Sequence, residues 1–123
     1  EVGSKGKDAS YYSSPAAKLG AHTAPLGIRF YEGNQFPASY KHQLFIAKHG
    51  SWNRSKKSGY EVVLARMDST GTVTGQEAFA TGWLDAESQE AWGRPVDVQE
   101  LKDGSLLISD DVANCIYRVT YSK

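Results

Sequence analysis

The chain alternates short apolar runs with clusters of Gly, Ser, Asn, Asp and Pro, the pattern of many short strands joined by turns. Leu44-Phe45-Ile46-Ala47 is a continuous apolar run bounded by Gly50, which predicts a strand buried on both faces. Three further strands are predicted around it. Ile28 to Tyr31 puts Ile28 and Phe30 on one face and Arg29 and Tyr31 on the other. Tyr60 to Met67 follows, and Asp68-Ser69-Thr70-Gly71 turns the chain back into Val73 to Ala80. The short connections predict a four-stranded antiparallel meander. Thr81 to Trp92 is the one stretch read as a helix, with Leu84 and Ser88 a turn apart and Glu87 and Glu90 outside.

After Trp92 the pattern starts again. Arg94-Pro95 opens a strand over Val96 to Leu101, and Asp103-Gly104 reads as a hairpin turn. Leu106-Leu107-Ile108-Ser109 is a second apolar run, and Cys115 to Tyr121 a third strand. Pro25-Leu26-Gly27-Ile28 matches Pro95-Val96-Asp97-Val98, Leu44-Phe45-Ile46-Ala47 matches Leu106-Leu107-Ile108-Ser109, and Glu61-Val62-Val63 matches Cys115-Ile116-Tyr117. Repeating four-stranded units are the signature of propeller blades, whose second strands are apolar on both sides because each blade lies between neighbours. A β-sandwich also gives short strands, but no reason for the recurrence. The expected fold is therefore all-β, a β-propeller of which the chain covers about two blades. Residues 1–20, rich in Gly, Ser, Lys and Tyr, read as a loop or tail, 21–82 as one blade and 93–123 as an incomplete one. Two blades cannot close, and open edges expose unpaired backbone groups. The missing neighbours are expected to be further blades upstream or a second copy of the chain.

Composition adds mainly exclusions. A hydrophobic content of 40% with 23% charged residues argues against disorder. Fourteen basic residues balance fourteen acidic ones, so no global field draws nucleic acid or anionic lipid. No apolar run approaches the roughly 20 residues of a membrane span. The lone Cys115 excludes an internal disulfide framework and a multi-cysteine metal site. The start at Glu1, without Met or a signal-type segment, gives the expectation that the chain is a piece of a longer protein.

The chemistry concentrates after the first apolar run, where His49, Ser51, Trp52, Asn53 and Arg54 follow in quick succession. In an up-down meander, the start of the first strand and the end of the second share one edge of the blade. His22-Thr23 and Arg94 precede first strands, while His49 to Arg54 and Asp110-Asp111 follow second strands, so all are expected on one face. Arg54 and Arg94 offer planar forks for carboxylates or phosphates. Trp52 offers a flat surface and the histidines offer donors or proton acceptors. A planar, polyanionic aromatic ligand fits that set. Blander readings stand beside it: Arg94 pairing with Asp110 or Asp111 between blades, Trp52 as packing, and His22 as a structural histidine. Lys56-Lys57 reads as a solvated pair. Asp110-Asp111 alone makes a weak cation site. Ser51 with His49 lacks an orienting acid at a telling spacing, which argues against a hydrolase triad.

HTAPLGIRFYEGNQFP, LFIAKHGSWNRS, GYEVV, GRPVDV, DGSLLISDD and IYRVTY resemble the carboxy-terminal part of the sorbosone dehydrogenase family. These are relatives of the soluble glucose and aldose sugar dehydrogenases that use pyrroloquinoline quinone. The resemblance runs from Leu19 to Tyr121. It implies a six-bladed propeller that oxidises sugar aldehydes or aldoses, passes electrons to the quinone and then to an external acceptor, and holds the cofactor with calcium (Ca2+). A periplasmic or secreted location is implied as well. Carried over by position, it assigns His49, Trp52, Asn53, Arg54 and Arg94 to the cofactor and, more weakly, His22 and Thr23 to the substrate mouth. The family's catalytic histidine and calcium ligands have no counterpart here. The reading from a different class is a non-enzymatic propeller module binding carbohydrate or a protein partner on the same face. A propeller lactonase needs a metal-ligating carboxylate set that is not visible in this stretch.

Overall fold

The computed structural model describes residues 8–122. The first seven residues of the stretch read as a tail lie outside the described residues. Seven strands form two antiparallel sheets. The first sheet runs in chain order through β1 (Pro25–Phe30), β2 (Leu44–Lys48), β3 (Glu61–Met67) and β4 (Val73–Ala80). The second runs through β5 (Pro95–Glu100), β6 (Leu106–Asp110) and β7 (Cys115–Val119). Each sheet is thus a meander, as the apolar spacing predicts.

Register explains the core. Phe45 pairs with Leu64 and Ala47 with Val62, so these four side chains share the face turned to the second sheet. Val98, Leu106 and Ile108 answer from across it, and one buried cluster spans both sheets. The opposite face of the first sheet holds a smaller cluster of Ile46, Val63 and Ala65, packed by Leu19 of the leading segment. A hydrogen bond from the Gln76 side-chain Nε2 to the Lys18 carbonyl, 3.0 Å, fastens that segment to β4. On the same outer face of β1, Leu26, Ile28 and Phe30 remain exposed.

The strands differ from expectation at their ends. β1 begins at Pro25, an allowed first residue of an edge strand, and carries a register irregularity between Pro25 and Ile28. β3 begins after Tyr60, whose φ of 63° is incompatible with a strand.

Thr81 to Trp92 is not a helix, which corrects the expectation from Leu84 and Ser88. It is a closed loop in which Leu84 bridges Ala91 and the Trp92 amide donates to the Trp83 carbonyl at 3.0 Å. The Asp85 carboxylate accepts from the Glu87 and Ser88 amides at 2.9 and 2.7 Å, which favours a turn over helical hydrogen bonding. Trp83 is buried against Tyr117, tying the loop to the second sheet. Among the described residues no helix is long and apolar enough to cross a membrane.

Candidate functional site

At one end of the two sheets an open cavity of about 430 Å³ is lined by His22, Ala24, His49, Gly50, Ser51, Trp52 and Arg94. Its volume lies within the roughly 300–1,000 Å³ typical of small-molecule sites. The lead-in to β1 and the exit from β2 meet there. The His49 amide donates to the Ala24 carbonyl at 3.0 Å and the Gly50 amide to the Thr23 carbonyl at 2.9 Å. Three of the six non-glycine residues with positive φ among the described residues lie at the same place: His22, Ala24 and Tyr60 have φ of 59°, 45° and 63°. Such non-glycine conformations cost on the order of 1–3 kcal/mol each and concentrate at functional sites. Gly50, at φ 97°, is required twice over, since a Cβ there would fall 2.4 Å from the Tyr60 ring.

Arg94 enters from the second sheet. Its amide donates to Asp110 Oδ1 at 2.9 Å. Asp110 is buried and also accepts from the Val112 and Ala113 amides at 3.0 and 2.8 Å and from the Tyr117 hydroxyl at 3.1 Å. Burial, with hydrogen bonding involving Cys115 and Asp110, pushes the Tyr117 phenol up to about 12, so it stays a donor. Gly93 is fixed by the same carboxylate, because a Cβ would come 2.2 Å from Asp110 Oδ2.

The Arg94 side chain pairs with neither Asp110 nor Asp111, contrary to the inter-blade reading. Nε donates to the His49 carbonyl at 2.9 Å, and Nη2 to those of Gly50 and Ser51 at 2.5 and 3.2 Å. The fork therefore clamps the two sheets through neutral carbonyls. Its charge meets no carboxylate within 4.0 Å among the described residues, and Nη1 has no hydrogen-bond partner among them.

His49 is oriented by Asp111, with Nε2 to Oδ1 at 2.9 Å. The acid missing from the sequence reading of Ser51 and His49 is thus 62 positions away. It does not make a triad: Ser51 is buried and its Oγ accepts from the Ser58 amide at 3.1 Å. The His49 hydrogen bond is the main cause that holds the Asp111 carboxyl below its ordinary value, with the Arg94 charge adding to it. A depressed carboxyl stabilises the fold above its unfolded value of about 3.9 and loses that contribution as pH falls through the lowered folded value. The stability gap between the protein and Asp111→Asn should accordingly close below about pH 4. Melting curves from pH 7 to pH 3 check this, and a gap that widens in acid would contradict it.

Trp52 is 87% exposed, so it is not packing. Thr23 is buried below the wall, its Oγ1 without a hydrogen-bond partner among the described residues. Arg54 is not on the wall: Nη1 donates to the Ala21 carbonyl at 3.4 Å and to Ser58 Oγ at 3.2 Å. Asn53 is exposed beside it and does not line the cavity either. The structure thus brings His22, His49, Trp52 and Arg94 together and leaves Asn53 and Arg54 on the flank. Tyr60, whose buried ring lies behind Gly50, carries no signal in the sequence beyond its place at the head of an apolar strand. No group of three or more His, Cys, Asp or Glu among the described residues could hold a metal ion.

A family model described as TrAA12-like matches residues 5–122. The chain belongs to the TrAA12-like family. An uncharacterized protein of Borreliella burgdorferi is 50% identical over 107 residues, covering 86% of this chain and 28% of that protein. A pyrroloquinoline quinone-dependent pyranose dehydrogenase of Coprinopsis cinerea is 37% identical over 82 residues, 63% of this chain and 9% of that enzyme. The holo form of the PQQ domain of pyranose dehydrogenase from Coprinopsis cinerea superposes with a TM-score of 0.63 at 26% identity, covering 81% of this chain and 27% of that one. The TrAA12-like family is therefore related to quinone-dependent sugar dehydrogenases. The chain spans under a third of the length of each of these relatives.

Proposed function

We propose that this TrAA12-like chain forms part of a quinoprotein that oxidises aldose sugars or sugar aldehydes with pyrroloquinoline quinone. In this reading the two sheets are adjacent blades of a six-bladed propeller, and the cavity is one flank of the cofactor site. The observation that carries it is Arg94: a cavity-lining cation with a free Nη1 and no carboxylate within 4.0 Å among the described residues. The exposed apolar stripe of Leu26, Ile28 and Phe30 supports a further blade packed on the first sheet.

The residues present fit the quinone, which carries three carboxylates on a flat ring system. Arg94 would take a carboxylate, Trp52 would face the ring plane, and His22 and His49 would donate to ring or carboxylate oxygens. Asn53 and Arg54 lie close enough in sequence to extend the site only if the loop turns inward. When bound, the quinone supplies a two-electron acceptor for the sugar, reoxidised by an external acceptor. This chain's residues bind and orient it; the base and the calcium ligands belong to other blades. A sorbosone-type substrate is part of the proposal.

The exposed Trp52 also suits a sugar ring, which favours a carbohydrate-binding module without catalysis as the second reading. Calorimetric titration of the purified protein with pyrroloquinoline quinone, with and without Ca2+, separates the two. Saturable quinone binding is expected. Trp52→Ala should weaken it about twofold to twelvefold, one aromatic contact of roughly 0.5–1.5 kcal/mol. Sugar binding with no quinone binding would replace the enzyme reading with the module.

A further inference from the structure

The cation at the cavity wall is itself held by a residue behind it. Tyr60 is 4% exposed and does not line the cavity. Its amide donates to the Lys48 carbonyl at 2.9 Å, anchoring its left-handed backbone to the last residue of β2. Its ring fills the space beside Gly50 that a Cβ would need. Its hydroxyl donates to the Ser51 carbonyl at 2.5 Å, and Arg94 Cζ stands 5.2 Å from its ring centroid. Tyr60 thus meets Arg94 twice, through its π-face and through the Ser51 carbonyl that Arg94 Nη2 shares at 3.2 Å.

We infer that Tyr60 is the positioning residue of this site, holding the Arg94 guanidinium so that its free Nη1 faces an anionic group in the cavity. An arginine on its flexible stem otherwise disperses its charge over many rotamers, and each ordered on binding weakens affinity. The ring meets the guanidinium from one side, and the three carbonyls hold its Nε and Nη2. Because ring and carbonyls are uncharged, the cation stays available to a ligand. A tyrosine serving only the core would stabilise the fold without controlling Arg94.

The ligand half of the inference rests on the proposed cofactor role; the placement of Arg94 does not. The test therefore reads both. The Arg94 Nε–Hε signal, identified by its loss in Arg94→Gln, is followed by NMR in the unmodified protein, Tyr60→Phe and Tyr60→Leu, alongside quinone titration. The signal should be ring-shifted and slow to exchange in the unmodified protein. Tyr60→Phe should keep the shift but exchange about threefold faster, having lost one hydrogen bond at Ser51. Tyr60→Leu should abolish the shift and weaken quinone binding about tenfold, between the scales of an exposed and a desolvated cation–π contact. Combined with Arg94→Gln it should cost no more than Arg94→Gln alone, as required if Tyr60 acts through Arg94. An unchanged Arg94 signal in Tyr60→Leu, or additive losses, overturns the inference. If Tyr60→Leu does not fold, the exchange rate in Tyr60→Phe decides, and an unchanged rate overturns it. If the unmodified protein binds no quinone, the functional reading fails while the Arg94 signal still decides the positioning role.

Discussion

Arg94→Ala should weaken binding of pyrroloquinoline quinone by about 2–3 kcal/mol, roughly 30- to 150-fold, the scale for a charge-assisted bond in a desolvated site. It should also lower stability. The carbonyls of His49 and Gly50 lose a donor at a part-buried position, while that of Ser51 keeps the Tyr60 hydroxyl, and an unsatisfied polar group costs about 1–3 kcal/mol when water cannot replace the partner. Arg94→Lys divides the two roles. An ammonium keeps the charge but cannot reach three carbonyls with a planar fork, so binding should fall less than in the alanine variant while the clamp is still lost. Calorimetric titration with parallel thermal melts reads both quantities. Lower stability at unchanged affinity would make Arg94 a clamp between sheets and remove it from the cofactor site.

Much of this arrangement is legible in the sequence, because period and repeat are local signals. The apolar runs Leu44 to Ala47 and Leu106 to Ser109 mark β2 and β6, the central strands on which the two-sheet core is built. The repeat also says which strand ends share an edge, and that is why His22, His49, Trp52 and Arg94 are readable as neighbours. Their partners are not readable. Backbone carbonyls have no residue type, so the clamp that Arg94 makes on residues 49–51 leaves no mark in the side-chain pattern. Asp111 finds His49 across sheets, a meeting fixed by register and not by spacing. The left-handed turn at Tyr60 follows Gly59 at φ 85°, and its purpose shows only once Gly50 is seen packed against the ring.

The misread loop from Thr81 to Trp92 carries the same lesson from the opposite side. One pair of residues a turn apart is weak evidence for a helix when an aspartate nearby can gather amides from its own loop. The two tryptophans near its ends, Trp83 and Trp92, close the loop with ring centroids 6.4 Å apart, and the Trp92 indole donates to the Gly82 carbonyl at 2.6 Å. That closure delivers Arg94 to the cavity, so the loop acts on the site without lining it.

Gly27→Ala should have the largest effect on folding, about 3 kcal/mol or more, at the upper end for overpacking. Gly27 lies in β1 where β5 of the second sheet abuts it. A Cβ there would come 2.1 Å from Asp97 Oδ1, 2.8 Å from its Cγ and 2.5 Å from its Cα. The first two contacts could be relieved by a rotamer change; the third is backbone and cannot. Asp97→Ala should therefore fail to rescue Gly27→Ala. Gly75→Ala in β4, where a Cβ meets nothing within 4 Å, is the control and should change stability by less than about 1 kcal/mol. The site should suffer with the fold. β5 begins one residue after Arg94, and Arg29 of β1 donates to the Val98 carbonyl and the Gln99 side chain of β5 at 3.4 and 2.6 Å. Pushing β5 away from β1 pulls the guanidinium off residues 49–51, so the folded fraction should also bind quinone more weakly. Denaturant midpoints with quinone titration measure both. If Gly27→Ala folds as well as the unmodified protein, the close contact of β1 and β5 is not what sets the two sheets, and the geometry of Arg94 must rest on its own hydrogen bonds.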